Sequence, residues 1–134
     1  MNEKLIFVVD DEIQVLKLYK KAFEKKGYTV RTAETAEEAL KILKNEKFKV
    51  MFLDLQLPGM NGLDLCREIR KETPDVFMFA VTGHADKFEF SDCLKAGFNV
   101  YFLKPMNFKI FYNTAEEAFE KLSTPLNLDQ KEPG

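Results

Sequence analysis

At 134 residues, with 46 % apolar side chains and thirteen phenylalanines, the chain has the size and core material of one domain and little room for a second. A formal charge of −2 offers no basic field for nucleic acid, and no apolar run approaches the ~18–20 residues that a membrane span needs. One histidine and two isolated cysteines, Cys66 and Cys93, argue against a zinc or haem site and for free thiols. The opening stretch, MNEKLIFVVDDE, lacks a signal-peptide pattern, so a cytoplasmic location is expected.

Leu5-Ile6-Phe7-Val8-Val9 is a continuous apolar run, the pattern of a strand covered on both faces. Val15, Leu16, Tyr19, Ala22 and Phe23 then recur at helical spacing, and Gly27 stands where a helix end wants positive φ. Tyr28–Thr32 reads as a short, more polar strand at a sheet edge. Thr35 and Glu38 have capping-box spacing for a second helix that carries Leu40 and Leu43 inward.

Val50–Leu53 is a third buried strand and ends in Asp54. Asn61 caps a third helix with the stripe Leu65, Cys66, Ile69, and Thr73-Pro74 stops it because a residue before proline is pushed out of the α region. Val76–Val81 is the fourth strand. Asp86 and Glu89 repeat the cap spacing for a fourth helix, ended by Gly97; Phe88 falls off its Phe90–Cys93–Leu94 stripe and is expected to lie exposed. Val100–Leu103 is the fifth strand, and Asn107 caps a last helix with Phe111, Ala115, Ala118, Phe119 and Leu122 on one face. Strands alternating with helices in this way predict a doubly wound α/β domain over residues 1–122, with a parallel sheet covered on both faces. Residues 123–134 lose periodicity and read as a tail or linker.

Parallel sheets bind ligands outside the carboxyl ends of their strands. The residues there are Asp10-Asp11-Glu12, Asp54, Thr82-Gly83 and Lys104-Pro105. Carboxylates gathered at one edge repel; at an effective dielectric near 20, a pair ~4 Å apart costs about 4 kcal/mol. Such a cluster calls for a cation, and an all-oxygen site with room for water suits Mg²⁺ better than zinc. Asp11, Asp54 and a backbone carbonyl would hold the ion, with Asp10 helping through water. Asp54 would then supply a nucleophilic carboxylate, while Thr82 and Lys104 bind phosphoryl oxygens.

The segments VVDDE (8–12), FLDLQLPGMNG (52–62), VTGHAD (81–86) and YFLKP (101–105) together resemble the response-regulator receiver domains of two-component signalling, over residues 4 to about 122. The resemblance implies a five-stranded flavodoxin-like sheet in the order 2-1-3-4-5 with five helices. It implies Mg²⁺ at Asp10, Asp11, Asp54 and the Gln56 carbonyl, phosphorylation of Asp54, and phosphoryl sensing by Thr82 and Lys104. It further implies a cis bond at Lys104-Pro105, a switch aromatic at Tyr101, and positions Gln56 and His84 that modulate dephosphorylation. Phe98 departs from the family pattern, which usually has a small residue there.

The partners expected on this reading are a sensor histidine kinase or histidine phosphotransfer protein, and a downstream target or effector domain. Nucleic acid and membrane are not expected as direct partners. Phe88, Tyr101 and Ile110 are candidates for a partner surface on the helix 4/strand 5/helix 5 face, which could also mediate a homodimer. Two rivals remain at this stage. An aspartyl-phosphate phosphohydrolase would place a DxD nucleophile after the first strand, where this chain has adjacent aspartates. An adaptor that is never phosphorylated would have no use for the intact acid, threonine and lysine set. The chain is therefore expected to be a phosphoacceptor and not an enzyme. It reads either as a stand-alone receiver or as a domain cut from a longer protein.

Overall fold

A computed structural model describes residues 4–84 and 86–123. The tail expected at 123–134 lies, from residue 124 onward, outside the described residues. Five strands and five helices alternate: β1 (Leu5–Val9), α1 (Ile13–Glu24), β2 (Thr29–Ala33), α2 (Ala36–Leu43), β3 (Val50–Asp54), α3 (Gly62–Glu72), β4 (Phe77–Thr82), α4 (Phe90–Ala96), β5 (Val100–Leu103) and α5 (Phe108–Ser123). The strands form one sheet in the order β2-β1-β3-β4-β5, and all four pairings are parallel. The polar β2 strand is an edge, as its composition predicts.

Alternation along each strand sorts the core into two layers. Phe7, Val9, Met51, Leu53, Met78 and Ala80 face the layer built with α2, α3 and α4. Ile6, Val8, Val50, Phe52, Phe79 and Val81 face the layer built with α1 and α5. The second layer is largely aromatic. Phe52 stacks on Phe79 at 4.1 Å between centroids, and Phe111 lies against Phe102 at 4.9 Å. Burial on both faces explains why β1, β3 and β4 read as unbroken apolar runs.

The helix signals map onto real caps. Thr35 Oγ1 accepts from Glu38 N at 3.0 Å, and Asn61 Oδ1 accepts from Asp64 N at 3.0 Å. Asn107 Oδ1 accepts from Ile110 N at 3.1 Å. Gly97 ends α4 at φ +117°, a conformation closed to most side chains.

The fourth helix departs from expectation. It begins at Phe90, not near Asp86; Glu89 takes the N-cap position without a side-chain cap bond. His84 O accepts from both Lys87 N and Phe88 N, which draws the preceding segment into a turn. Phe88 is consequently not exposed on a helix but half-buried against the α3–α4 core, while Phe90 and Leu94 are the exposed members of that region. Phe98 is accommodated, buried in the same core layer. Cys66 and Cys93 are buried free thiols, and Cys66 Sγ donates to Ala96 O at 3.4 Å. Among the described residues no helix is long and apolar enough to cross a membrane.

Candidate functional site

The strand ends converge as a parallel sheet requires. Asp10 follows β1; its backbone N donates to Ala33 O at 3.1 Å, and its Oδ1 accepts from Glu12 N at 2.9 Å. Asp54 is the last residue of β3 and is 6 % exposed. One oxygen from each of Asp10, Asp11 and Asp54 lies within 4.8 Å of the others. Asp10 and Asp54 are buried and Asp11 is exposed, so the cluster has a closed floor and an open mouth.

Thr82 closes β4 and is fully buried. Its carbonyl accepts from Lys104 N at 2.8 Å, which ties the β4 and β5 ends together. Its hydroxyl oxygen accepts from His84 N at 2.9 Å, leaving the hydroxyl hydrogen available to donate. Lys104 reaches back over the acids, with Nζ 3.4 Å from Asp10 Oδ2 and 3.8 Å from Asp54 Oδ2. The Lys104–Pro105 bond is cis.

The electrostatics follow from burial and crowding. Burial and then the Asp10 charge push the Asp54 carboxyl up to about 7, against the opposing pull of Lys104 and the Gln56 N–H. Asp10 is also raised, first by burial, with Glu12 N–H and Lys104 holding it down. A single ammonium thus leaves the acid pair under-neutralised. Three oxygen donors around one point, two on a buried floor and one in solvent, fit a hard divalent cation such as Mg²⁺. Asp10, Asp11 and Asp54 are the side chains that would hold it.

The remaining predicted positions are spread around this centre. Gln56 and His84 are exposed on the loops after β3 and β4. Tyr101 is half-buried on β5; its hydroxyl donates to Phe88 O at 3.0 Å and its ring meets Phe90 edge-on at 5.6 Å. Ile110 is exposed on α5, as are Leu94 on α4 and Leu103 at the end of β5. The exposed apolar side chains on α4, β5 and α5 are therefore Phe90, Leu94, Leu103 and Ile110, whereas Phe88 is half-buried. One further residue bears on the site. Gly62 opens α3 so close to β3 that an added Cβ would lie 2.5 Å from Asp54 O. The Asn-Gly pair after Leu-Pro-Gly-Met is the sequence trace of that approach.

The chain belongs to the response regulator receiver domain family, whose model matches residues 6–116. A curated relative, the alginate biosynthesis transcriptional regulatory protein AlgB of Pseudomonas putida, is 36 % identical over 104 residues, which are 78 % of this chain and 23 % of the relative. The chain thus spans about a quarter of that protein's length. A receiver domain structure from Methanospirillum hungatei superposes with a TM-score of 0.82 at 31 % identity, covering 90 % of this chain and 96 % of that one. The response regulator TrrA of Thermotoga maritima, solved in complex with Mg²⁺-BeF, superposes with a TM-score of 0.78 at 31 % identity, covering 86 % and 98 %.

Proposed function

We propose that the domain is a phosphoacceptor switch in which an Asp54 carboxylate oxygen attacks the phosphorus of a phosphohistidine on a sensor kinase or phosphotransfer protein. The P–N bond breaks, its electron pair stays with the imidazole, and the phosphoryl group becomes an acyl phosphate on Asp54. The observation that carries this reading is the placement of Asp54 on the buried floor of an acid cluster, with Lys104 Nζ 3.8 Å from its Oδ2. Mg²⁺ bound by Asp10, Asp11 and Asp54, with the Gln56 carbonyl, would supply the charge neutralisation that one lysine leaves incomplete; the complex of TrrA with Mg²⁺-BeF supports that choice of ion.

Phosphorylation adds about −1.5 to −2 charges at the end of β3. Thr82, with a hydrogen free to donate, and Lys104 then bind phosphoryl oxygens. Charged hydrogen bonds are worth roughly 1.5–3 kcal/mol each, and a swing from 1:99 to 99:1 needs about 5.5 kcal/mol. Thr82 and Lys104 acting together reach that scale; neither does alone. Movement of Thr82 carries His84 and the turn at 86–88, and with it the Tyr101–Phe88 bond and the α4 face. Gln56 and His84, exposed at the mouth, set the access of water to the acyl phosphate.

The exposed Phe90, Leu94, Leu103 and Ile110 on this face supply the surface for a downstream partner, an effector domain or a second copy. Because AlgB is a transcriptional regulatory protein, an effector that acts on transcription is one such output. The domain acts in the cytoplasm and turns over no substrate beyond its own phosphoryl group.

Incubation with Mg²⁺ and acetyl phosphate, followed by intact-mass measurement, tests the assignment. The wild-type chain is expected to gain a phosphate-sized mass and Asp54→Asn none. Equal labelling of the variant, or no labelling of wild type, would remove Asp54 from the mechanism.

A further inference from the structure

At the end of the sheet away from the acid cluster, a cleft of about 530 Å³ opens between α2 and α3. Ligand pockets commonly measure about 300–1,000 Å³, so the space can hold a small molecule. Its floor is Phe48, Met51, Ile69 and Val76, each at most 5 % exposed. Phe48 and Val76 precede β3 and β4, whereas Asp54 and Thr82 close those strands. Met51 is three residues from Asp54, about 10 Å along the strand, so the cleft is separate from the phosphoryl site. Its origin is local. α2 ends at Leu43 after eight residues, while α3 runs on to Glu72 over eleven. Leu40 and Leu43 of α2 stay half-buried and form one wall.

Several acids of the rim already have partners. Glu46 accepts from Arg31 Nη2 at 3.0 Å, and Glu68 lies 3.5 Å from Lys71 Nζ. Lys44, Lys47 and Glu72 have no ion pair among the described residues. The lip that follows α2 thus carries two unpaired ammonium groups, against one unpaired carboxylate on the α3 lip. The lysine lip suits an anionic head, which Glu72 repels from the α3 side. The apolar floor suits a hydrocarbon. Phe48 is the one ring in the lining and is already stacked on Phe7 at 4.6 Å; the other apolar members are aliphatic, which favours a flexible chain over a planar ring system.

We infer that this cleft binds an aliphatic monocarboxylate of medium chain length, its chain on the Phe48–Met51–Ile69–Val76 floor and its carboxylate at Lys44 and Lys47. Nothing in this assignment rests on Asp54 taking a phosphoryl group.

Sodium decanoate, kept below its micelle concentration and titrated into the ¹⁵N-labelled wild-type chain, tests the assignment. Saturable amide shifts are expected, centred on residues 40–51 and 69–76. Octanoate should bind on the order of tenfold more weakly, since each buried methylene is worth about fourfold. Lys44→Gln/Lys47→Gln changes only exposed side chains; it should weaken decanoate about fivefold, as for two exposed ion pairs, and leave decanol binding unchanged.

Absence of saturable shifts, tighter binding of decylammonium than of decanoate, or equal decanoate affinity in the double variant overturns the inference. So does either sign of another occupant. Cleft amides that move with protein concentration alone would mean that a second copy covers the cleft. Cleft amides that move in Leu126→Ser/Leu128→Ser, without ligand, would mean that the chain's own 124–134 segment fills it.

Discussion

The Lys104 ammonium lies 3.4 Å from Oδ2 of Asp10, the residue that follows β1 on the other side of the central strands. That contact spans the sheet edge, with the lysine resting on two acids of the cluster. Both Asp10 and Asp54 are drawn down by Lys104, yet burial keeps both raised. One cation is therefore shared between two buried acids, and its removal must be felt by both.

Lys104→Met tests that sharing. The side chain is 25 % exposed, so solvent screens part of the interaction. Metal-free Lys104→Met should lose about 1–2 kcal/mol of stability at mildly alkaline pH, less than a fully buried pair would lose. Acidification should return most of it, because protonated carboxyls no longer need the ammonium. Urea denaturation at two pH values reads the difference. A loss that is unchanged by acid would assign Lys104 a packing role instead.

The pH dependence of the metal-free protein should run opposite to that of most acidic proteins. Asp54 titrates at about 7 in the fold. It titrates near ~3.9 in the unfolded chain. The native state thus holds this proton more tightly than the unfolded state does. There is no penalty below the unfolded value, a growing one as pH rises towards the folded value, and a constant one above it. Each unit between the two corresponds to about 1.4 kcal/mol, so the metal-free protein should lose a few kcal/mol across that interval. Asp10, also raised, adds to the same slope. Asp54→Asn should be more stable than wild type at alkaline pH and show a flatter profile. Saturating Mg²⁺ should remove much of the slope from wild type. Denaturation midpoints for the two proteins, with and without Mg²⁺, check the order.

Why the acids, Thr82 and Lys104 could be found from the sequence is a matter of register. Each follows an apolar run that can only be a buried strand, and a parallel sheet brings all such ends to one edge. Asn61, Thr35 and Asn107 were legible for a similarly local reason: a cap acts within three residues. Phe88 was not. Its place depends on His84 O accepting two bonds and on the Tyr101 hydroxyl thirteen residues away, so helical periodicity counted from Asp86 runs through a turn. Arg70 was opaque for the same reason. Its meaning lies in atoms distant in the chain, Gly97 O and Asn99 Oδ1, and the residue type does not announce it.

Arg70 anchors the far end of α4. Its guanidinium donates to Gly97 O, to Pro74 O at 2.9 Å, to Val76 O at 2.5 Å and to Asn99 Oδ1 at 3.0 Å. Asn99 Oδ1 also accepts from Met78 N at 2.8 Å, so the cluster joins α3, β4 and the turn before β5. Burial lowers the Arg70 pKa. Arg70→Ala should destabilise the domain by about 2–4 kcal/mol, since several carbonyls lose one shared donor. Arg70→Lys should recover little, because an ammonium cannot reproduce the planar fork. Thermal unfolding of the pair decides this; recovery by lysine would mean that charge alone matters.

Gly62→Ala separates helix propensity from the demands of the site. Alanine in place of glycine favours a helix by about 1 kcal/mol where nothing else intervenes. Here the new Cβ would lie 2.5 Å from Asp54 O and 2.7 Å from Leu55 Cα, both backbone atoms that cannot swing aside. Gly62 N also donates to Leu55 O at 2.9 Å, so the start of α3 is tied to the segment it would have to leave. Either α3 moves outward and weakens that bond, or the end of β3 moves and takes Asp54 with it. Overpacking of this kind costs about 1–3 kcal/mol, enough to reverse the propensity gain. Displacement of Asp54 by a fraction of an ångström also disturbs the acid cluster, so acetyl phosphate labelling should slow about tenfold or more. Denaturation and labelling rates measured on the same preparation distinguish the two responses. A stable variant with normal labelling would show that the α3 start is free to yield, and that the close approach does nothing to hold Asp54 in place.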